Sequence, residues 1–161
     1  MEQFTRRETV VLTRTSTGRL GYLAKTGVVV PLGARDNPPR QICYSWEQIL
    51  ELRAIQHLRR QVSLQMIRKI LAFLESSGSD RTLHNKRLVI TNGEVDWVQA
   101  ESGSGPQVVQ VVARKNRHVG QLKLMTVPAV SELIDEVWET ALHSNVIDFE
   151  SFRQRALQSH P

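Results

Sequence analysis

Over residues 130–142 the apolar positions recur at helical spacing without a gap. Val130, Leu133, Ile134, Val137, Trp138, Ala141 and Leu142 fall at i, i+3, i+4, i+7, i+8, i+11 and i+12, which places them on one face of an α-helix. Glu132, Asp135, Glu136 and Glu139 cover the other side. Pro128 sits where a first helical turn accepts proline. The pattern predicts a helix over 129–143. Its apolar face either closes a core within the chain or pairs with its own copy. On the second reading Val130, Leu133, Ile134, Val137, Trp138 and Leu142 are the dimerisation residues.

The rest of the chain divides into a helical part and a strand-rich part. Thr5, with Glu8 three residues on, is a capping-box pattern and opens a helix over 5–12. Residues 13–15 form a turn. Thr15, Ser16 and Thr17 can each cap a second helix over 16–26, and Gly27 stops it. Val28-Val29-Val30 before Pro31 reads as a strand, residues 32–41 as a loop, and Ile42-Cys43-Tyr44 as a returning strand. Ser45 and Gln48 repeat the capping box ahead of the stripe Ile49, Leu52, Ile55 and Leu58, with Arg53, Arg59 and Arg60 off it. Ser63 caps a further helix burying Leu64, Ile67, Ile70, Leu71 and Leu74, which makes an αα-hairpin. Ser76–Asp80 marks a boundary. Beyond it, strands are predicted at 87–91, 94–98, 108–112 and 121–127, with Asn92-Gly93 as a hairpin turn. A last short helix covers 149–157, its phenylalanines docking on the chain or on a partner. The class is α+β, with one domain over 1–76 and a second over 77–161.

Charge changes this picture. Residues 1–75 hold 12 Lys/Arg and 6 Asp/Glu, whereas residues 76–161 hold 9 and 10. No acid lies between Glu8 and Asp36, while Arg14, Arg19, Lys25 and Arg35 fall inside that window. A short helix carrying Arg14, Arg19, Tyr22, Lys25 and hydroxyls outward is what a helix-turn-helix inserts into a DNA major groove. An ordinary solvated helix is the plainer alternative. The following strand–loop–strand has the layout of a wing, with Arg35 and Arg40 on its loop reaching phosphate or the minor groove. The candidate DNA contacts are therefore Arg14, Thr15, Ser16, Thr17, Arg19, Tyr22, Lys25, Arg35 and Arg40. Arg114–His118 is a basic connection, read as a solvated turn or a secondary phosphate contact.

No chemistry competes with binding. GxGxxG, GxxxxGK[ST] and HExxH are absent from the sequence, and no Cys/His pair has ligand spacing. Neither a metal, a cofactor nor a catalytic residue is expected. The single cysteine, Cys43, forms no internal disulfide. No apolar run approaches a membrane span, and the first residues do not read as a signal peptide, so a cytoplasmic protein is expected.

Residues 13–75 resemble the DNA-binding domain of MerR-type regulators. Arg19-Leu-Gly-Tyr-Leu-Ala-Lys-Thr-Gly-Val-Val-Val-Pro31 is similar to the family's second helix, glycine stop and apolar-Pro strand. Tyr44–Ile55 is similar to its tyrosine-serine helix start, and Val62–Leu71 to the helix that follows. A related module occurs in MerR-like antitoxins. The chain departs from the family pattern in three places. Gly21 stands where arginine is usual before the tyrosine, and Arg14 where glycine is common. The long C-terminal dimerisation helix and the effector-binding cysteines have no counterpart. In length and layout the chain resembles the small MerR-like repressors that accompany type V-K CRISPR-associated transposons. The resemblance implies a homodimeric repressor acting on a palindromic operator at promoters of CRISPR effector and transposition genes. The alternative it leaves is an antitoxin that binds DNA and covers a toxin with its C-terminal segment.

Overall fold

The computed structural model describes residues 2–36, 40–91, 94–101, 105–112, 124–126 and 128–159. Mixed α and β structure is observed: six helices and two antiparallel sheets. The chain forms two compact units, residues 1–56 with 130–161, and residues 57–129. This division differs from one at residues 76/77 in two ways: residues 57–76 belong to the second unit, and the last two helices return to the first.

In the first unit, β1 (Phe4–Thr5) leads into α1 (Arg6–Thr13). The Thr5/Glu8 capping box forms as the spacing predicts. α2 (Thr17–Lys25) follows with Ser16 as its cap. β2 (Cys43–Tyr44) pairs antiparallel with β1, Phe4 opposite Tyr44 and Thr5 opposite Cys43. The predicted strand at Val28–Val30 does not form. The amides of Val28 and Val29 donate to the Leu23 carbonyl, and Gln48 Nε2 donates to the Val30 carbonyl at 2.6 Å. These valines therefore close the end of α2 and leave no ladder to pair. Only Leu32 bridges to Cys43.

α3 (Trp46–Leu58) starts from the Ser45/Gln48 box and buries every residue from Ile49 to Ile55. That includes Glu51 and Arg53, so the helix is a central element rather than a one-sided one. α5 (Val130–Leu142) packs on α1 and meets Arg53 through Glu136, with Arg53 Nε 2.9 Å from Glu136 Oε2. α6 (Phe149–Gln158) is capped by Asp148. Its Phe152 has no exposed surface and lies among Phe4, Trp46 and Trp138, with ring centroids at 6.0, 6.0 and 5.2 Å. Arg155 of α6 stacks 4.7 Å over Phe4 and donates to both oxygens of Glu8, at 2.6 and 3.2 Å. Burial opposes ionisation of Glu8. The hydrogen bonds from Arg155 and Thr5 outweigh it and hold the carboxyl below its ordinary range.

In the second unit, α4 (Leu64–Ser76), capped by Ser63, buries Ile67, Ile70, Leu71 and Leu74. Leu64 stays half-exposed in the first turn. The sheet has the order β5-β4-β3-β6: β3 (Arg87–Thr91), β4 (Glu94–Glu101), β5 (Gly105–Val112) and β6 (Leu124–Thr126). The β4–β5 ladder extends beyond the predicted strands to Glu101 opposite Gly105, with one irregularity between Val95 and Asp96. Leu88, Ile90 and Val95 alternate onto the buried face. Ahead of β3, Lys86 Nζ donates to Asp80 Oδ1 at 2.5 Å and Asn85 Oδ1 at 2.6 Å, and lies 5.9 Å from the Trp97 ring centroid. The hydrogen bond from Lys86, then those from Thr82 and Asn85, hold Asp80 well below the usual carboxylate range. The Asn92-Gly93 turn and the Arg114–His118 connection lie outside the described residues. Among the described residues no helix is long and apolar enough to cross a membrane.

Candidate nucleic-acid interface

The candidate contacts lie on three consecutive pieces of the first unit: the α1–α2 turn, the outer side of α2, and the loop over 33–42. The turn is built by threonines. Thr9 and Thr13 are fully buried, and each hydroxyl donates to the carbonyl four residues back, at 2.9 and 2.7 Å. These bonds satisfy buried hydroxyls without leaving the helix. Arg14 then caps α1 in the left-handed region, with φ 52° and ψ 33°. Among the described residues it is the one non-glycine at positive φ. Left-handed backbone disfavours residues with a Cβ, so glycine is the unstrained choice there. The Arg14 side chain projects into solvent.

Thr15 is the clear correction among the predicted contacts. It is 3 % exposed, and its hydroxyl donates to the Thr13 carbonyl. It tightens the turn and is not available to a ligand. Ser16 takes the capping role, accepting from the Arg19 amide at 3.3 Å.

Leu20 and Leu23 anchor α2 to the core. Thr17, Gly18, Gly21, Tyr22 and Lys25 are exposed on one face, and Arg19 is half-buried at the margin of that face. A Cβ added at Gly18 or Gly21 would meet nothing within 4 Å, so neither glycine is required by packing inside the chain. The Thr26 hydroxyl donates to the Tyr22 carbonyl at 2.8 Å, and Gly27, at φ +74°, ends the helix.

The loop begins at a forced glycine. Gly33 has φ +79°, and a Cβ there would lie 2.9 Å from the Gln41 carbonyl oxygen. Arg35 and Arg40 are both exposed. Arg40 Nε is 3.7 Å from Asp36 Oδ2, a solvated pairing that leaves the guanidinium accessible.

Sequence reasoning missed Arg6 and Arg7. Both are exposed on α1, and Arg6 Nη2 donates to the Thr17 carbonyl at 3.3 Å. Arg6 thus lies against the first turn of α2. Two adjacent arginines inside the capping box are the available sign of it. The acid-free window from Glu8 to Asp36 therefore exposes Arg14, Lys25 and Arg35, and Arg6 adds a cation beside the start of α2. The first unit as a whole is close to neutral, with ten Lys/Arg against eleven Asp/Glu. Its remaining acids are concentrated on α5 and α6, where Glu132, Asp135, Glu139 and Glu150 lie at the surface.

The proposed dimerisation residues go elsewhere. Leu133 and Val137 are fully buried in the chain's own core. Trp138 is half-buried with its ring edge-on to Phe149 and Phe152, and Ile134 is half-buried as well. Only Val130 and Leu142 of that set face outward. The core-closing reading of this helix is the one observed for its inner stripe. Among the described residues no three His, Cys, Asp or Glu side chains gather to hold a metal ion. No family model and no curated protein matches this chain.

Proposed function

We propose that the chain is a sequence-specific DNA-binding repressor of the MerR type, with α1 and α2 as a helix-turn-helix and residues 32–43 as a short wing. The observation that carries this reading is the outer side of α2. It presents Thr17, Tyr22, Lys25 and two glycines unused by the fold, next to Arg6, Arg14 and Arg19 and free of acidic residues. In a major groove, glycines let a helix approach base edges closely, while the flanking cations and the tyrosine hydroxyl engage phosphates. Arg35 and Arg40 act from the wing. Phosphate neutralisation supplies most of the affinity and makes it salt-dependent. A homodimer would match a palindromic operator through its own two-fold symmetry. Promoters of CRISPR-associated transposon genes are the targets that the sequence resemblance suggests.

The antitoxin alternative requires a C-terminal segment free to cover a toxin. Here Phe152 and Ala156 are buried, and Arg155 clasps Glu8. That docking favours the repressor reading.

The test is footprinting and titration on the DNA upstream of the protein's own gene. Arg19→Ala should weaken binding at least tenfold at moderate salt with the circular dichroism spectrum unchanged. Undiminished affinity in that variant would remove α2 from the interface.

A further inference from the structure

Among the described residues, the sheet of the second unit has one long open edge. β5 (Gly105–Val112) has β4 on one side and, among the described residues, no strand on the other. It is eight residues long, as long as any strand in the sheet. Long edges with unpaired amides and carbonyls invite another strand, and proteins normally blunt them with lysines, bulges, prolines or brevity. The opposite edge, β6, comprises three of the described residues. β5 contains no Lys, Arg, Asp or Glu, and its single blunting residue is Pro106, near one end. The irregularity at Val95/Asp96 lies toward the other end, leaving Gly105–Gln110 paired with Glu101–Asp96 without a break. Val108, in the middle of that stretch, is 64 % exposed, more than any other large apolar side chain of the described residues.

From this we infer that β5 is the seam of a homodimer, pairing antiparallel with its own copy about a two-fold axis through Val108. The occupant follows from charge. The second unit carries eleven Lys/Arg and five Asp/Glu, so two copies of it repel through their net charge. The uncharged edge is where they approach with the least of that penalty. A dyad through Val108 places Val108 opposite Val108 of the copy, Gln107 opposite Val109, and Pro106 opposite Gln110. Every such pair is neutral, and the central one buries the most exposed apolar side chain. A two-fold interface uses the same patch on both copies, and a single strand pairing antiparallel with itself satisfies that condition. The seam rests on the dimer assumed for the repressor, but it replaces α5 as the place where the dimer forms.

The test measures the self-association of the full chain by sedimentation. The wild type should sediment as a dimer at micromolar concentration. Val108→Lys sets two ammonium groups against each other at the dyad and should raise the dimer dissociation constant at least tenfold, whereas Val108→Thr should leave it within threefold. As an independent check, Val108→Cys in a Cys43→Ser background should cross-link to a covalent dimer under mild oxidation. Residues directly opposite across an antiparallel pair have Cβ atoms about 5 Å apart. Monomeric wild type, dimeric Val108→Lys, or absence of the cross-link in a dimeric Val108→Cys sample would each overturn the seam. The DNA reading is scored separately by the α2 variants. Binding lost in Arg19→Ala but retained, with weaker cooperativity, in Val108→Lys supports both. Binding unaffected by Arg19→Ala sinks the repressor without touching the seam.

Discussion

The two compact units leave different things unused. The first is closed by long-range packing: five aromatic rings gather from β1, α3, α5 and α6, and ion pairs join Arg53 to Glu136 and Arg155 to Glu8. What remains outward on its α1–α2 side is charge and glycine. The second is built from a sheet and one capped helix, and what remains outward on β5 is backbone hydrogen-bonding capacity and an apolar side chain. Spare cations on a helix suit a polyanion, whereas a spare neutral strand edge suits another strand. In the proposed reading, ligand recognition falls to the first unit and self-association to the second.

The largest expected effect breaks the first unit alone. Phe152→Ala removes a fully buried ring set among four other aromatics and should cost about 3–5 kcal/mol in denaturant unfolding. Truncating the exposed Val108 to Ala should cost under about 0.5 kcal/mol by the same measurement. Similar losses at the two positions would erase the distinction. Next, Glu136→Ala strips the carboxylate from a buried guanidinium and should cost about 1–3 kcal/mol. The exposed pair Arg153–Glu150, at 52 % and 66 % side-chain exposure, should contribute no more than about 0.5 kcal/mol.

Gly21→Arg sharpens the recognition side. The site is open, and glycine costs a helix roughly 1 kcal/mol relative to better formers. The variant should therefore gain about 0.5–1 kcal/mol in stability and bind operator DNA several-fold more weakly, because the new side chain holds the helix off the base edges. Tighter folding with tighter binding would mean that close approach at this glycine is not part of recognition.

The smallest effect is a pH dependence shared by both units. Glu8 and Asp80 have folded-state values below their ordinary 4.5 and 3.8. The stability each contributes is complete above those ordinary values and is lost as the pH falls through the lowered ones. Unfolding midpoints should be flat from neutrality to about pH 5 and then decline. Glu8→Gln and Asp80→Asn should each flatten the acid limb. A decline setting in above about pH 6 would point to a different group.

Most elements are legible in the sequence because their ends are chemically marked. Thr5/Glu8, Ser45/Gln48, Ser63 and Ser16 cap where their spacing says, and β-branched runs find β3, β4 and β5. The failures share one cause: local pattern does not name a partner. Val28–Val30 has strand composition, yet the amides of Val28 and Val29 are taken by Leu23. β1, at two residues, is too short to show a period. The stripe on α5 announces a buried face but cannot say whether the chain or a copy covers it. Thr15 reads as a cap as well as Ser16 does, and only the turn geometry turns it inward. The exposed face of α2, with Tyr22 and Lys25, is legible because it depends on sequence spacing alone.

The most direct test of the recognition assigned to the first unit is the salt dependence of binding to the protein's own upstream DNA. The logarithm of affinity should fall linearly with the logarithm of salt concentration. Lys25→Ala should reduce the slope by about 0.9 for each phosphate that is no longer neutralised, or about 1.8 for a dimer. A slope near zero, or one unchanged by Lys25→Ala, Arg14→Gly and Arg19→Ala alike, would contradict the account.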